Sequence, residues 1–317
     1  MNRKCNILYL AVIIFAFNNA CLNAENVKIA TYNIEHFARM FDQHKLPRGE
    51  RDMTEYYRDC EDIYEVARVI NLPDFDPDII CIEEGPELAM LELFNKDYLN
   101  SKYAFVRVFD TNSNRDQTLA MLAKPGFVVK QIVQYCKDPD PADSSGTKWL
   151  FSRGPGFVQF QTPGGNQLCV GVTHIKSKYG DNPDMVKRRG RQMARIGAIC
   201  ASYIDSGLDY VAVLGDFNDS FGLDKNETKA GMDAIAQVLA ASDRITCLTR
   251  PLQQQGDYTY HCQFKSPRYR SFLDHIFVSE SLAKINSSIK VIKDPIADVA
   301  SDHWPVLANF DFPESSK

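Results

Sequence analysis

The sequence lacks an excess of basic residues. Among its 317 residues, 36 are Lys or Arg and 41 are Asp or Glu, which gives a formal net charge of −5. An acidic chain of this kind exerts no overall attraction on nucleic acid. A polyanionic ligand would therefore have to be held by a local group of cations or through a bound metal ion.

A regular pattern of cysteines is also absent. Of the nine cysteines, Cys5 and Cys21 lie near the N-terminus, and the other seven form an odd set without repeated spacing. This distribution excludes a disulfide framework, and no Cys/His spacing is typical of a zinc site. Cys81 and Cys169 lie in apolar runs and are predicted to be buried thiols. A pairing of Cys247 with Cys262 across a hairpin stays open.

Long hydrophobic runs are scarce as well. The apolar run at residues 7–17 follows Arg3 and Lys4 and is too short for a comfortable membrane span. Small and polar residues follow it, with cleavage predicted after Ala20 or Ala24, as in a secretory signal peptide. We therefore expect residues 1–24 to be a signal peptide, residues 25–317 to form one domain without a transmembrane segment, and the protein to be secreted or periplasmic. The alternative is a retained membrane anchor.

Apolar patterning predicts many short strands with a few long helices between them. A helix is expected at residues 182–205, where the apolar positions recur every three or four residues. A weaker helix is predicted at residues 232–239 and a strand at residues 258–264. Residues 137–156 are rich in Asp, Pro, Ser and Gly and predict one long loop. Strands this numerous and this irregularly spaced predict a layered α/β fold rather than a simple doubly wound sheet.

Polar residues recur where the predicted strands end. Asn33 and Glu35 are two residues apart, so on an extended strand they point to the same side. Asp216 and Asn218 have the same relation, just after Gly215. Any one such residue usually caps a turn or a helix. Their repetition at several strand ends suggests convergence at one sheet edge, and the further members are Glu84, His174, Asp274, Asp302 and His303.

In this order the segments TYNIEHF, DIICIEEG, VTHIKSK, VLGDFND, LDHIFVS and SDHWPV resemble the endonuclease/exonuclease/phosphatase superfamily. The resemblance extends from about Val27 to Phe310. It implies a four-layer α/β/β/α sandwich in which two mixed β-sheets pack face to face. It also implies a metal-dependent phosphoesterase, since the superfamily includes nucleases, sphingomyelinases and phosphatases.

The resemblance further implies a role for each matching residue. Metal ligands are expected at Asn33, Glu35, Glu84 and Asp302, whose oxygen atoms suit Mg²⁺, with Mn²⁺ or Ca²⁺ as alternatives. His303 is expected to activate water, with Asp274 orienting its ring. Asp216 and Asn218 match residues that position the attacked phosphate and its nucleophile, and His174 matches a histidine that contacts the phosphate or the leaving oxygen. Glu83 is expected on the opposite face of its strand in a structural role, and His275 in packing.

A local group of cations points to a polyanionic substrate. Lys176 and Lys178 follow His174, Arg153 resembles a recurring arginine near such sites, and Lys187, Arg191 and Arg195 are spaced by four on the predicted helix. We expect Arg153, Lys176, Lys178 and Arg191 to bind substrate, which makes nucleic acid the favoured substrate of a monomer without a stable protein partner. An ordinary solvated helix face would give the same charge pattern.

Three other functions stay open. A sphingomyelinase-like lipid phosphodiesterase would use Trp149, Phe151, Phe157 and Phe160 to contact a membrane, although such residues more commonly form hairpin core. A phosphomonoesterase acting on sugar or inositol phosphates is a further alternative. A catalytically inactive binding module is disfavoured because every position of the matched motifs is retained.

Overall fold

Two six-stranded β-sheets dominate the protein, as seen in a computed structural model. The structure describes residues 25–113, 117–178, 182–222, 234–262 and 269–314. The predicted signal peptide, residues 1–24, lies outside these ranges. In the described part of the chain, no helix is both long and apolar enough to cross a membrane.

The first sheet has the strand order β13-β14-β1-β2-β4-β3. Its central strands β1 and β2 are parallel and its other neighbours are antiparallel. Helix α1 (Met53–Ile70) connects the two parallel strands. The strands are β1 (Glu25–Asn33), β2 (Ile79–Gly85), β3 (Phe105–Phe109), β4 (Thr118–Ala123), β13 (Asn286–Val291) and β14 (Val306–Phe312).

The second sheet has the order β5-β6-β7-β8-β12-β9 and repeats this plan. Here β7 and β8 are the parallel pair, and helix α3 (Pro183–Asp205) connects them. A small hairpin of β10 (Tyr260–Cys262) and β11 (Tyr269–Ser271) stands apart from both sheets. The strands are β5 (Val128–Gln134), β6 (Gly156–Gln161), β7 (Gln167–His174), β8 (Tyr210–Asp216), β9 (Ile245–Cys247) and β12 (Asp274–Ser279).

Both long helices begin at side-chain caps that the sequence provides. Asp52 accepts hydrogen bonds from the backbone N–H groups of Thr54 and Glu55, which starts α1. The Asn182 side chain accepts hydrogen bonds from the backbone N–H groups of Asp184 and Met185, which starts α3, and proline stands at the first helical position. The shorter helices are α2 (Leu88–Asp97), α4 (Ala236–Ala240), α5 (Arg250–Gln254), α6 (Glu280–Lys284) and α7 (Ala297–Ala300), with 3₁₀ turns at Phe37–Phe41 and Arg48–Glu50.

Three apolar clusters separate the four layers. Alternate residues of the central strands fill the space between the sheets, among them Ile29, Val170 and Leu214. The opposite face of the first sheet packs on α1 and α2, and that of the second sheet packs on α3 and α4. The predicted α/β/β/α sandwich is therefore confirmed. Each sheet can contribute to two apolar clusters because successive residues of a strand point to opposite faces of the sheet.

Some local predictions are changed by the structure. The helix predicted at residues 232–239 is the short α4, and residues 223–233 are outside the described ranges. The strand predicted at residues 258–264 is the three-residue β10. Cys81 and Cys169 are fully buried free thiols, as expected. Cys247 is also a free thiol, so the open pairing with Cys262 is not formed.

Gly215 allows β7 and β8 to approach at the end of the parallel pair. It pairs with Thr173 at φ +149°, and a Cβ atom there would lie 1.9 Å from the Thr173 carbonyl oxygen. We expect Gly215→Ala to lower the free energy of unfolding, measured in urea, by at least about 2 kcal/mol. Gly207→Ala is the matched control, since φ is also positive there (+95°) but no atom lies within 4 Å. Equal losses in both variants would contradict the steric explanation.

Candidate active site

The core between the sheets ends, at one edge, in a layer of polar side chains. On β1 the inward positions change from Val27 and Ile29 to Thr31 and Asn33. The carboxyl ends of both parallel pairs meet at this edge, and β12 begins there because it runs antiparallel to β8. Each residue of the layer is at most 5% exposed, and the members are Thr31, Asn33, Glu83, His174, Asp216 and Asp274.

Asp216 is the centre of this layer. Its Oδ2 accepts a hydrogen bond from Asn33 Nδ2 at 3.0 Å, which joins one sheet to the other. Its Oδ1 accepts from the backbone N–H of Asn218 at 2.7 Å, and Asn218 Nδ2 donates to the Ile175 carbonyl oxygen. Burial raises the pKa of Asp216 to about 7, and the charge of Asp274 adds to this against that of His303. The carboxylate is thus bonded on both oxygens by groups that fix its orientation.

His303 enters the layer from the loop before β14 and pairs with Asp274. The distance from His303 Nδ1 to Asp274 Oδ2 is 2.8 Å. Its Nε2 lies 3.9 Å from Asp216 Oδ2 and 3.8 Å from Asp302 Oδ1. Burial opposes a charged imidazole, but the surrounding carboxylates outweigh it and hold the pKa of His303 well above its ordinary value. Donation from Nδ1 to Asp274 leaves Nε2 directed at the other polar groups of the site.

His174 also lies beside Asp216, but its pKa is shifted in the opposite direction to that of His303. Its Nε2 is 3.3 Å from Asp216 Oδ2. Burial, followed by the positive charges of Arg153, His303 and Lys176, lowers the pKa of His174 well below its ordinary value. The site therefore places a neutral imidazole and a readily protonated one near the same carboxylate oxygen, Asp216 Oδ2. Such separation of pKa values is typical of groups with distinct acid and base roles.

Glu35, Glu84 and Asp302 form an acidic group beside the layer. Glu35 Oε2 accepts from the backbone N–H of Asp302 at 3.0 Å. Glu84 Oε2 accepts from the backbone N–H of His36 at 3.0 Å and from Gln117 Nε2 at 2.5 Å. Burial raises the pKa of Asp302 to about 6, and the charges of Glu35 and Glu84 contribute against that of His303. Three carboxylates thus lie close together, and the hydrogen bonds to Glu35 and Glu84 come from neutral donors.

These residues fit a divalent cation. Like charges that repel one another are stabilised by a cation, and carboxylate and amide oxygens are its preferred ligands. A more compact set also exists in the described chain, since ligand atoms of Asp216, Asp274 and His303 lie within 4.8 Å of one another. That set already contains the hydrogen-bonded pair of His303 and Asp274. The binding of a cation by the acidic group with Asn33, which the resemblance implies, stays a prediction.

The sequence predicted only part of the arrangement of Glu83 and Glu84, the two carboxylates of β2. A register shift between Glu83 and Gly85 interrupts the pairing of β2 with β4, and Glu84 adopts φ +59°. This bulge turns Glu84 away from the face it would share with Ile80 and Ile82. Glu83 continues the inward series of Ile79 and Cys81 and is fully buried, with Thr31 donating to its Oε1 at 2.8 Å. Strand parity alone could have placed Glu83 in the layer.

The predicted substrate-binding cations have different surroundings. The positive charges of Arg153 and Lys176 add to burial in lowering the pKa of His174. Arg153 Nη1 also donates to Gln117 Oε1 at 2.8 Å. Lys178 Nζ lies 2.8 Å from Asp219 Oδ1. Arg191 makes two hydrogen bonds, 2.9 and 3.0 Å long, to the carboxylate of Asp140. The guanidinium of Arg191 is thus engaged in holding the long loop against α3. The contact of Arg191 with substrate stays a prediction.

Two site residues carried no motif in the sequence. Gln117 stands just before β4 and bridges Glu84 and Arg153 through its amide. Tyr260 lies on β10 with its ring centroid 5.0 Å from that of His303. Both belong to segments that are distant in sequence from the residues they contact. The polar residue before a predicted strand was a usable signal for Gln117, whereas Tyr260 gave none.

The chain is similar to known proteins in sequence pattern and in fold. The model of the Endonuclease/Exonuclease/phosphatase family matches residues 30–303, whereas no curated protein sequence matches. An endonuclease/exonuclease/phosphatase from Bacteroides vulgatus has a TM-score of 0.62 at 16% identity, covering 91% of this chain and 99% of that chain. D. rerio TDP2 complexed with single strand DNA product has a TM-score of 0.59 at 15% identity, covering 90% of this chain and 98% of that chain. The human Nocturnin catalytic domain with bound sulfate anion has a TM-score of 0.58 at 15% identity, covering 90% of this chain and 94% of that chain.

His275 lies behind the layer and makes the stability of the site region sensitive to acid. Its Nε2 donates to the Asp219 carbonyl oxygen at 3.0 Å, and its Nδ1 accepts from the Thr249 hydroxyl at 2.9 Å. Burial lowers the pKa of His275 from 6.5 to about 4. The folded state thus favours the neutral ring, and its contribution to stability is complete above pH 6.5 and lost as the pH falls towards 4.

We expect this loss to be roughly 3 kcal/mol in the free energy of unfolding. The measurement is urea unfolding of wild type and of His275→Gln, whose amide does not titrate, at several pH values over that interval. Subtracting the two curves removes the contributions of Asp216 and Asp302. Parallel curves would show that His275 titrates normally in the folded protein.

Proposed function

Because the chain belongs to the endonuclease/exonuclease/phosphatase family, we propose that this phosphoesterase hydrolyses phosphodiester bonds in nucleic acid with the help of Mg²⁺. The observation that carries the proposal is the pairing of His303 with Asp274 beside Asp216 and the acidic group. This arrangement supplies a base for water and polar groups for a phosphate in the buried layer, and ligands for a cation directly beside it.

The geometry suggests direct attack by water. Asp274 holds the Nδ1–H of His303, so Nε2 faces the site and accepts a proton from the attacking water when the ring is in its neutral form. Asn218 and the neutral His174 lie beside Asp216, where they can contact the phosphate oxygens and the leaving oxygen. A bound Mg²⁺, held by Asn33, Glu35, Glu84 and Asp302, would neutralise charge on the phosphate and on the leaving oxygen. The buried Ser301 hydroxyl donates to the Asn33 carbonyl oxygen at 2.7 Å and accepts from the His303 backbone N–H at 3.0 Å. It is thus engaged in holding the backbone, and water is the favoured nucleophile.

Nucleic acid is favoured over lipid by the distribution of charge and apolar surface. Arg153 and Lys176 bring positive charge to His174 in an otherwise acidic protein. D. rerio TDP2, which shares the fold, is recorded in complex with a single-strand DNA product. Of the aromatic residues proposed to contact a membrane, Phe151, Phe157 and Phe160 are buried in the core, and Trp149 alone is exposed. A lipid substrate therefore keeps little support.

We further propose that the enzyme is exported and acts as a monomer. The basic N-terminus and the apolar run at residues 7–17 support cleavage of residues 1–24 and release into the periplasm or medium. Cell fractionation with N-terminal sequencing of the recovered protein, and gel filtration of it, would test both points. Recovery of the uncleaved chain in the membrane fraction would favour the retained anchor.

The first experiment compares substrates, metal and His303. Residues 25–317 are assayed on supercoiled plasmid, RNA, bis-p-nitrophenyl phosphate, sphingomyelin and a sugar phosphate, with Mg²⁺ and with EDTA. We expect nucleic-acid cleavage that EDTA abolishes and that His303→Gln lowers by about 100-fold or more, because general base catalysis is lost. His44→Gln is the matched control, since His44 lies in the separate cluster around Tyr56.

The outcomes separate the remaining alternatives. Turnover of sphingomyelin or of the sugar phosphate alone would keep the site and replace the substrate. Metal binding without turnover of any substrate would favour an inactive binding module. Undiminished activity in His303→Gln would remove this residue from the mechanism.

Direct attack by water has a stereochemical consequence. A single in-line displacement inverts the configuration at phosphorus, whereas a covalent intermediate requires two displacements and retains it. We expect inversion when a chiral phosphorothioate diester is hydrolysed in labelled water and the product configuration is determined. Retention would contradict the mechanism without changing the assignment of the metal ligands.

The cations near His174 should give the reaction its dependence on salt. We expect Lys176→Ala to reduce the slope of log kcat/KM for plasmid against log salt concentration by about one unit, because one phosphate contact is lost. Lys284→Ala is the control, since Lys284 is paired with Glu280 on α6. The same series with Arg191→Ala tests the remaining prediction for that residue. An unchanged slope in Lys176→Ala would exclude a phosphate contact there.

A further inference from the structure

The pair of His303 and Asp274 is assembled from two separate segments of the chain. Asp274 is the first residue of β12 in the second sheet, and His303 precedes β14 in the first sheet. Their side chains meet at 2.8 Å although they are 29 residues apart. Something must fix the two backbones relative to each other, because a misplacement of about 1 Å in a catalytic group can cost on the order of 100-fold in rate.

Thr259 contacts the backbone of both segments. Its hydroxyl Oγ1 accepts hydrogen bonds from the backbone N–H groups of Leu273 at 3.0 Å and Asp274 at 3.1 Å. Its carbonyl oxygen accepts from the backbone N–H of Trp304 at 2.7 Å. Its own N–H donates to the Ser271 carbonyl oxygen at 3.0 Å. Thr259 is thus hydrogen-bonded to Asp274 itself and to the residue that follows His303.

We infer that Thr259 is a positioning residue of the proposed hydrolase, holding Asp274 and His303 in the register that their hydrogen bond requires. The inference rests on the proposed function. Thr259 is fully buried, so water cannot replace its hydroxyl as the acceptor. The next residues extend the connection, since the His261 N–H donates to the Asp302 carbonyl oxygen at 2.9 Å. Thr259 acts through the pair and does not contact the substrate.

The hydroxyl can be removed without changing the shape of the side chain. Thr259→Val keeps the volume but leaves the N–H groups of Leu273 and Asp274 without this acceptor. Thr259→Ser restores the oxygen. Thr162→Val is the matched control, because Thr162 is also buried and its Oγ1 also accepts a backbone N–H, that of Asn166. Thr162 lies in the β6–β7 hairpin beside Glu25, away from the polar layer.

Steady-state kinetics on bis-p-nitrophenyl phosphate separates positioning from general loss of stability. We expect Thr259→Val to lower kcat by about 10- to 100-fold with KM changed less than about twofold. Thr259→Ser should recover kcat to within about threefold of wild type, and Thr162→Val should leave kcat unchanged even where its melting temperature falls. A kcat unchanged in Thr259→Val, or one that serine does not recover, would overturn the inference.

A double-mutant cycle tests the route through Asp274. In Asp274→Asn the pair is already impaired, so adding Thr259→Val should lower kcat by less than about twofold. If the two losses multiply, Thr259 acts independently of the pair and the inference is wrong.

One readout does not depend on catalysis. The Nδ1–H proton that His303 donates to Asp274 should give a far-downfield proton resonance, seen with ¹⁵N-histidine-labelled protein and assigned by its loss in His303→Gln. We expect the resonance to be lost or broadened in Thr259→Val and kept in Thr259→Ser and Thr162→Val. Its persistence in Thr259→Val would overturn the inference. If the wild type hydrolyses no phosphodiester, the proposed function fails, and this measurement still tests the role of Thr259.

Discussion

The hydrogen bond from Asn33 to Asp216 joins the two sheets at the point where their shared core becomes polar. Away from this edge, the residues that point between the sheets are apolar, and their burial holds the sheets together. At this level each central strand instead presents a polar group, and hydrogen bonds to its oxygens lower the cost of burying a carboxyl group. Asn33 and Asn218 satisfy Asp216 from two elements. The active site therefore depends on both parallel pairs ending at the same edge, which the sandwich ensures.

The charges around the two histidines shift their pKa values in opposite directions. His303 faces Asp274, Asp216 and Asp302, which favour the charged ring, whereas His174 lies near Arg153 and Lys176, which disfavour it. Both rings are fully buried, so little water screens these interactions. The carboxylates that stabilise protonated His303 also repel one another, and a cation at Glu35, Glu84 and Asp302 would relieve that repulsion. The two histidines and these carboxylates thus constrain one another, and altering any one carboxylate changes the electrostatic balance at the rest of the site.

The sequence carried enough information for the sandwich and for most of the site, because both depend on strand alternation and on short motifs. Asn33, His174 and Asp216 follow from apolar runs that end in polar residues, whereas Asp274 follows from its motif, LDHIFVS. The position of Glu84 did not follow, since a bulge with φ +59° is a property of the assembled strand pair. Nor did the pairing of Arg191 with Asp140, because the partner lies in a loop whose path tertiary contacts decide. Thr259 was invisible for the same reason, as its partners are backbone groups of other segments.

The loop at residues 137–156 shows why a cationic helix face is a poor guide to substrate binding. Asp138 and Asp140 pair with Arg195 and Arg191, and Arg188 donates to the carbonyl oxygens of Trp149 and Leu150. Gln192 of the same helix accepts from the backbone N–H of Lys176 and donates to Leu150. Helix α3 thus connects the long loop to the segment that follows His174. The helix charges serve first to fix the long loop, whereas the charges of Arg153 and Lys176 add to burial in lowering the pKa of His174.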